Sequence, residues 1–221
     1  MKELKSNLEA DYRPYQILRK RAALQSADFI EQYLKSAMLF PSKIRMWDYV
    51  VTLLNETEQY GSCLEFGVYN GNSINYLSER LKNWQFFGFD SFEGLAEDWV
   101  GWHFPRGHFD MDGTLPHVNS NVELVRGWFE DTLPNFIASA PVENIRFIHI
   151  DCDTYNSSKY VLQELVQNLN SGTLILFDEF HGFPNWMNHE YKAFVEVMSE
   201  RQINYKFRAF SNMQALVELV K

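Results

Sequence analysis

Four acidic side chains stand directly after two apolar runs of the sequence, and their spacing suggests metal or acid–base chemistry. Asp151 and Asp153 follow one run, and Asp178 and Glu179 follow the next. Because neighbouring parallel strands end at the same edge of a sheet, we expect the four carboxyl groups to lie close together. Carboxylates at such distances cannot all stay ionised, so they bind a cation, protons or basic partners. An all-oxygen set favours a hard cation such as Mg²⁺.

A glycine turn between a predicted strand and a predicted helix indicates a second ligand site. Glu65 lies near the end of the strand, while Gly67 and Gly71 allow a close backbone approach and a tight entry into the helix. The third glycine of the dinucleotide fingerprint is missing, and a carboxylate at Glu65 disfavours phosphate but suits an ammonium group. Asp90, about 20 residues further on, stands where a carboxylate binds ribose. Ribose and an amino-acid end without phosphate indicate S-adenosylmethionine; an ordinary strand-to-helix turn is the alternative.

Five segments occur in the same order in one enzyme family. They are Glu65–Gly71, Gly88–Leu95, Arg126–Phe129, Phe147–Asp153 and Phe177–Glu179. On these segments, the chain from about residue 41 to its C-terminus resembles the macrocin O-methyltransferase family, whose members methylate sugar hydroxyls of macrolide and novobiocin-type antibiotics. The resemblance implies an S-adenosylmethionine-dependent, Mg²⁺-dependent O-methyltransferase that acts on a hydroxyl group of a sugar or of a glycosylated small molecule.

The resemblance also implies roles for the acidic residues. Asp151, Asp178 and Glu179 match the metal-ligand positions of the family, and Glu179 stands where some members carry aspartate. Asp153 matches the position of the catalytic base. Aspartate is also favoured at the N-terminus of a helix, so the alternative is that Asp153 only caps the helix that follows.

Candidate cofactor-binding residues come from the glycine turn and from the ends of the strands beside it. The predicted set is Glu65, Phe66, Gly67, Val68, Tyr69, Gly71, Ser73, Asp90, Ser91, Phe92, Gly127, Trp128 and Asp151. By resemblance, the adenine ring is surrounded by four of these residues, Ser91, Phe92, Gly127 and Trp128. Two histidines lie nearby. His181 is a weaker candidate for contact with the substrate, and His149 is interpreted as a strand residue with a satisfied hydrogen bond.

The elements that position these residues alternate between strands and helices, which predicts an α/β fold. Strands are expected at 62–66, 84–89, 122–125, 145–150 and 173–177, followed by a hairpin of two strands at 205–210 and 214–220. Helices are expected at 14–39 and 42–58, before the first strand. The predicted fold is a Rossmann-like class I methyltransferase with N-terminal helices and a seven-stranded, mostly parallel sheet that ends in an antiparallel hairpin.

Two domain-level features follow from the same pattern. Residues 1–40 are predicted to form an N-terminal helical extension, and residues 41–221 are predicted to form the methyltransferase domain. Residues 93–120 lack periodicity but contain several aromatic residues, which argues against disorder. Loops this long inside a domain usually serve a function, so we expect a lid over the cofactor and the acceptor.

Composition excludes several classes of function. The 221 residues are 46% hydrophobic and carry a net charge of −9, which argues against a protein that binds nucleic-acid backbones. No apolar run approaches the ~20 residues of a membrane span, and no signal peptide is evident. Cys63 and Cys152 lie in apparent strands, so buried thiols and a cytoplasmic protein are expected. The expected partner is a small-molecule acceptor, a sugar by resemblance, and the family suggests a homodimer.

Three alternative functions remain open at this point. The string Asp151-Cys152-Asp153 also fits a metal-dependent glycosyltransferase, although that class leaves the glycine turn unexplained. A catalytically silent cofactor-binding protein of the same fold would have no need for the clustered acids. A phenolic or catechol acceptor is also compatible, because similar metal sites serve vicinal hydroxyls.

Overall fold

Eight strands form one sheet in the part of the chain that the structure describes. The structure is a computed structural model, and it describes residues 13–57, 60–139, 144–166 and 169–220. The strands are β1 (Met38–Phe40), β2 (Ser62–Phe66), β3 (Gln85–Asp90), β4 (Val122–Arg126), β5 (Ile145–Ile150), β6 (Leu174–Phe177), β7 (Asn204–Ser211) and β8 (Ala215–Val220). The helices are α1 (Pro14–Glu31), α2 (Lys43–Asn55), α3 (Asn72–Arg80), α4 (Phe129–Ser139), α5 (Tyr155–Leu165) and α6 (Glu190–Glu200).

The sheet order is β1-β7-β8-β6-β5-β2-β3-β4. Strands β6, β5, β2, β3 and β4 run parallel to one another, whereas β8 runs antiparallel to both β6 and β7. The expected α/β architecture with a C-terminal antiparallel hairpin is therefore confirmed. Because β2, β3, β5 and β6 are parallel, their carboxyl ends meet at one edge, where this class of sheet binds ligands.

Strand β1 is an addition to the seven strands expected from the sequence. The prediction of a helix as far as Leu39 was wrong at its end, because α1 ends at Glu31 and the chain then pairs parallel with β7. Backbone N–H and C=O groups at the edge of β7 pair with this short apolar segment. Helical periodicity in the sequence does not indicate such pairing with a distant strand. The predicted extension thus contributes a strand to the sheet, and the domain boundary near residue 40 stays a prediction; residues 1–12 lie outside the described part.

Helices cover both faces of the sheet. On one face, α2 and α3 bury Met46, Val50, Ile74 and Leu77 against the strands. On the other face, α4, α5 and α6 pack with the side of the sheet that carries Phe66. The N-terminal helix packs on this second face. Its Phe29 ring contacts five aromatic rings there, those of Phe180, Trp186, Tyr191, Phe207 and Phe210. No helix in the described ranges is both long enough and apolar enough to cross a bilayer.

Residues 93–120, called the 93–120 loop from here on, form an ordered segment that folds back on itself. Two backbone hydrogen bonds of 2.9 Å close its neck, one from Leu95 N–H to His108 C=O and one from Gly107 N–H to Leu95 C=O. Trp99 packs in a small apolar cluster with Phe183 and with Ala22 of α1. The loop therefore packs on the N-terminal helix and on the segment after β6. Its predicted closing motion as a lid stays a prediction.

Candidate functional site

The glycine turn after β2 is held against the ends of two neighbouring strands. Gly67 donates its N–H to the carbonyl of Phe89 at the end of β3, at 3.0 Å. Its φ is +91°, and a Cβ at this position would lie 1.8 Å from the backbone oxygen of Asp151, which follows β5. Only glycine fits this approach. The turn therefore joins the predicted cofactor residues to the predicted carboxylate cluster.

Asp90 organises the same turn through its carboxylate. Its Oδ2 accepts hydrogen bonds from the N–H groups of Val68 and Tyr69, both at 2.8 Å, and its Oδ1 accepts one from Phe92 N–H at 2.7 Å. A carboxylate offers about four acceptor positions, so one remains for a further donor such as a ribose hydroxyl. Asp90 is also part of the wall of the cavity described next.

A cavity of about 470 Å³ lies above the carboxyl ends of the central strands. This volume falls within the range of small-molecule sites. The cavity wall includes predicted residues from all of the sequence segments that suggested a site. They are Gly67, Val68, Tyr69, Ser73, Asp90, Ser91, Trp128, Asp151, Asp153, Asp178 and Glu179. The structure therefore brings the predicted cofactor residues and the predicted acidic residues around one space.

Six other predicted residues lie around this wall rather than in it. Phe66 is fully buried and stacks on Phe89. Gly71 is the N-cap of α3, with φ +79°. Phe92 is buried in the apolar core, and Gly127 follows β4, where its N–H bonds to the Asp90 carbonyl. The buried His181 lies beside Gln214, and burial lowers its pKa to about 4. The sixth of these residues is Glu65.

Glu65 lies behind the turn, where both of its carboxylate oxygens have protein partners. Ser73 Oγ donates to Oε1 at 2.8 Å, and His149 Nδ1 lies 2.9 Å from Oε2. The Glu65 side chain is 2% exposed, so it contacts the cavity through Ser73 rather than directly. The ammonium contact expected from the sequence stays a prediction, and the structure shows a hydrogen-bonded buried carboxylate at this position.

Asp178 is surrounded by donors from three different elements. Lys43 Nζ, at the start of α2, lies 3.2 Å from its Oδ2. Gln214 Nε2, before β8, donates to its Oδ1, and His149 Nε2 lies 3.5 Å from the same oxygen. Burial opposes ionisation of Asp178, but His149 and Lys43 outweigh it and hold the pKa of this carboxyl well below its usual value.

The remaining acids show the opposite behaviour. Burial and the negative charges of Asp178 and Asp90 raise the pKa of Asp153 to about 8. Burial, followed by neighbouring carboxylates, also raises the pKa of Asp151, Glu179 and the fully buried Glu190 well above the usual value. Ionisation of these groups is unfavourable without a compensating positive charge, so a cation in the cavity would favour their ionised forms.

The donor set is compatible with a metal ion. Ligand atoms of Asp151, Asp153 and Glu179 lie within 4.8 Å of one another, and so do those of His149, Asp151 and Asp178. Oε2 of Glu179 is buried and has no hydrogen-bond partner among the described residues. The predicted ligands Asp151, Asp178 and Glu179 thus lie in one region, although the structure divides them between two compact groups that share Asp151.

Several residues at the site were not selected from the sequence. Lys43 and Gln214 come from elements far from the motifs, and no spacing rule connects them with Asp178. Glu190 accepts a hydrogen bond from Glu179 N–H through its Oε2, at 3.1 Å. The residues before it are typical of the start of a helix and do not indicate a site. His149 could have been selected from the sequence, because it lies two residues before Asp151 and alternate residues of a strand lie on the same face.

Part of the cavity wall is aromatic. The wall there includes Trp99, Trp102, Phe104 and Phe109 of the 93–120 loop. Tyr69 of the glycine turn meets Phe109 edge-to-face, with ring centroids 5.2 Å apart. The cavity therefore combines carboxylate groups at its base with ring faces at its rim.

Comparison with known proteins shows weak but consistent similarity to O-methyltransferases. The chain is 26% identical over 145 residues to 8-demethyl-8-(2,3-dimethoxy-alpha-L-rhamnosyl)-tetracenomycin-C 4'-O-methyltransferase of Streptomyces olivaceus, covering 54% of this chain and 53% of that protein. It is 24% identical over 144 residues to mycinamicin III 3''-O-methyltransferase of Micromonospora griseorubida, covering 54% and 55%. The matched part of the chain thus spans about half the length of these relatives. The resemblance predicted from the sequence is confirmed.

The fold comparison agrees with the sequence comparison. The crystal structure of the calicheamicin methyltransferase CalS11 superposes with a TM-score of 0.64 at 23% identity, covering 78% of this chain and 77% of that one. This similarity confirms the predicted methyltransferase fold. The methyltransferase-domain family matches residues 64–180, a segment that includes the glycine turn, Asp90 and the whole carboxylate cluster. Because this match takes in just over half of the 221 residues, the chain belongs to the methyltransferase-domain family.

Proposed function

We propose that the protein is an S-adenosylmethionine-dependent O-methyltransferase that methylates a hydroxyl group of a sugar or of a glycosylated small molecule. The observation that carries this proposal is the meeting of the glycine turn and the buried Asp153 around one cavity. The family supports the cofactor, and the names of the two relatives support a glycosylated acceptor. The acidic cluster argues against a catalytically silent protein, which would have no need for these acids. The glycine turn argues against a glycosyltransferase, which would leave the turn unexplained.

The cofactor would lie along the glycine turn. The Gly67 backbone allows close approach, Ser73 presents its hydroxyl group, and the free acceptor position of Asp90 suits a ribose hydroxyl. Ser91 and Trp128 complete this side of the cavity and suit the adenine ring. When bound, the cofactor supplies an electrophilic methyl group, so the protein's main task is to align the acceptor oxygen with it.

Asp153 is the group that we assign to removal of the acceptor proton. A sugar hydroxyl has a pKa near that of water, ~15.7, whereas an ordinary aspartate has one near 3.9, a gap of about 12 units or roughly 16 kcal/mol. Burial and the charge of Asp178 narrow this gap by raising the pKa of Asp153 to about 8. A carboxylate with this higher proton affinity is a better base than an exposed aspartate.

The carboxylate cluster would hold Mg²⁺ through Asp151 and Glu179, with Asp178 as the third ligand. The unpaired Oε2 of Glu179 and the raised pKa of Asp151 support a cation at this place. For Asp178 to bind the metal, Lys43 must leave its Oδ2, and the half-exposed lysine side chain is long enough to do so. When bound, the metal would acidify an acceptor hydroxyl by several units.

The aromatic rim suits an acceptor with apolar faces. Ring faces of Trp102 and Phe104 can pack against the C–H faces of a sugar or against the aglycone that carries it. A phenolic acceptor would use the same faces, so the acceptor class requires a direct test. We also propose a cytoplasmic enzyme whose partner is this small molecule; a homodimer stays a prediction.

One experiment tests the cofactor and the reaction together. Calorimetry should show binding of S-adenosylhomocysteine to the purified protein, and absence of binding with and without Mg²⁺ would contradict the cofactor site. Formation of S-adenosylhomocysteine is then measured with neutral rhamnosides and with catechol, each in Mg²⁺ and in EDTA. We expect turnover with a glycoside and a higher rate in Mg²⁺. Turnover with catechol alone would replace the sugar by a phenolic acceptor, and equal rates in EDTA would remove the metal.

A further inference from the structure

The acidic cavity contains a basic side chain whose role the proposed function leaves open. Lys43 is the only lysine or arginine in the wall of this cavity among the residues that the structure describes. The same wall carries the carboxyl groups of Asp90, Glu130, Asp151, Asp153, Asp178 and Glu179. An anionic group of a ligand in this cavity therefore has one lysine, and many acids, in its surroundings.

The proposed cofactor has such an anionic group. The amino-acid end of S-adenosylmethionine carries an ammonium group and a carboxylate group. The ammonium group suits the acidic side chains, whereas they repel the carboxylate, which needs a donor of its own. Hydrogen bonds between an ammonium group and a carboxylate are among the stronger polar contacts in proteins. This step rests on the proposed function for the identity of the cofactor.

Lys43 lies at the end of the cavity where the amino-acid part of the cofactor is expected. Glu65, the residue predicted to receive the ammonium group, has its Oε2 2.9 Å from Nδ1 of His149. Nε2 of the same ring lies 3.5 Å from Oδ1 of Asp178. Nζ of Lys43 lies 3.2 Å from Oδ2 of Asp178. Lys43 and Glu65 are thus separated by one imidazole ring and one carboxylate, so this region suits both charged groups of an amino acid.

Packing between α2 and α3 holds Lys43 on the same side as the glycine turn. Lys43 is the first residue of α2, and Trp47, one turn later, also lies in the cavity wall. Trp47 packs on Tyr76 of α3, with ring centroids 5.2 Å apart, and Tyr76 Oη donates to Asp48 at 2.6 Å. Helix α3 begins directly after the glycine turn. The backbone of Lys43 is therefore fixed relative to the turn, while its side chain, which is 54% exposed, has room to move.

The partner of Lys43 is a carboxylate that the metal also requires. Its Nζ contacts Oδ2 of Asp178, which is the proposed third ligand of Mg²⁺. Binding of the metal to Asp178 would release the ammonium group, and binding of Lys43 to a cofactor carboxylate would release Asp178. Each ligand thus removes a contact that opposes the other, and such a coupling is reciprocal.

We propose that Lys43 binds the carboxylate group at the amino-acid end of the cofactor, and that it moves there from Asp178 when Mg²⁺ binds. Lys43 is then a cofactor-binding residue outside the segment 64–180 that matches the methyltransferase-domain family. Mg²⁺ and the cofactor bind cooperatively, because both require Lys43 to leave Asp178.

A decarboxylated analogue isolates this contact. Calorimetry in excess Mg²⁺ compares S-adenosylhomocysteine with decarboxylated S-adenosylhomocysteine, which keeps the ammonium group and lacks the carboxylate. The wild type should bind the analogue at least about tenfold more weakly. In Lys43→Met the two compounds should differ by less than about threefold. The affinity of this variant for the analogue should not fall, which also shows that the variant is folded. Arg45→Met removes an exposed cation of the same helix, outside the cavity wall, and should keep the wild-type difference.

The effect of Mg²⁺ tests the exchange in the wild type, without any variant. Mg²⁺ should tighten binding of S-adenosylhomocysteine at least about fivefold and should not tighten binding of the analogue. Equal affinities for S-adenosylhomocysteine with and without Mg²⁺ would overturn the exchange. A difference between the two compounds that persists in Lys43→Met would overturn the assignment of Lys43, because the carboxylate then binds elsewhere, for example to N–H groups at the start of α3. Absence of S-adenosylhomocysteine binding to the wild type would contradict the proposed function itself, whereas binding without these differences overturns only the role of Lys43.

Discussion

At the scale of single residues, Asp153 is the side chain on which catalysis should depend most. It is 8% exposed, and its φ of +65° is unusual for a residue other than glycine, which is typical of functional positions. We expect Asp153→Asn to lower turnover by about 10²–10⁴-fold, because general-base catalysis is lost. Calorimetric affinity for S-adenosylhomocysteine should change little. Asp131→Asn, in the first turn of α4 and outside the cavity wall, is the control that should keep full activity.

The pH dependence of turnover should also report on Asp153. Burial first, and then the charges of Asp178 and Asp90, raise its pKa to about 8 in the metal-free protein. The group accepts a proton only when ionised, so turnover in EDTA should rise as the pH increases through about 8. A bound cation favours the ionised form and should move this rise to lower pH. A flat rate between pH 6 and 9 in EDTA would remove Asp153 as the base.

Residue identity at the site was predictable where local sequence carried the signal. The acids after β5 and β6 and the glycines after β2 were recognised because strand ends and turns have local signatures. The partners of these residues were not recognised. Lys43 and Gln214 contact Asp178 from positions 135 and 36 residues away in sequence, and only the folded chain brings them together. Side-chain pairing across elements depends on packing, which periodicity does not encode.

At the scale of elements, the junction between β2 and β5 should be the least tolerant turn of the fold. We expect Gly67→Ala to destabilise the protein by at least about 3 kcal/mol, because its Cβ would lie 1.8 Å from the Asp151 carbonyl oxygen. Gly172→Ala is a matched control with a similar φ, +88°, and open space around the Cβ. It should cost only about 1 kcal/mol for the left-handed backbone. Urea unfolding measures both, and equal losses would contradict the steric argument.

The elements themselves were largely predictable, and their exceptions have physical causes. Predicted strands at 145–150 and 122–125 correspond to β5 and β4 within one residue. The mostly buried β5 has the apolar character of a central parallel strand, whereas β4 is a partly exposed edge strand. The helix predicted at 14–39 includes the first two residues of β1 (Met38–Phe40), because so short an apolar segment at a sheet edge has no period of its own. The 93–120 loop is ordered by tryptophan packing and by its closed neck rather than by repeating backbone bonds.

At the scale of the whole molecule, burial of the acidic site opposes the ionisation of its carboxyl groups. The apolar layers on both faces of the sheet enclose the carboxyl edge, and they raise the proton affinity of several acids at once. Asp178, which His149 and Lys43 surround, differs from these buried acids because its pKa is lowered. Ionisation of these acids is therefore unfavourable in the folded protein, and the stability of the fold should depend on pH and on bound cations.

Glu190 allows a direct test of this dependence. It is fully buried, its Oε1 has no hydrogen-bond partner within the described ranges, and burial followed by the charge of Asp153 raises its pKa well above 4.5. Above pH 4.5 the unfolded chain loses this proton while the folded protein keeps it. The contribution to stability is thus complete below the unfolded pKa and is lost as the pH rises through the folded pKa.

We therefore expect the Tm of the wild type in EDTA to fall between pH 5 and pH 8.5 by more than that of Glu190→Gln. The glutamine keeps an oxygen for the N–H of Glu179 but cannot ionise, so the variant should be the more stable protein at high pH. Glu79→Gln, at an exposed position with 68% of its side chain accessible, should follow the wild-type curve. Added Mg²⁺ should reduce the fall in the wild type, because a cation compensates the remaining ionised acids. Parallel curves for the wild type and Glu190→Gln would show that the buried charge at this edge does not limit stability.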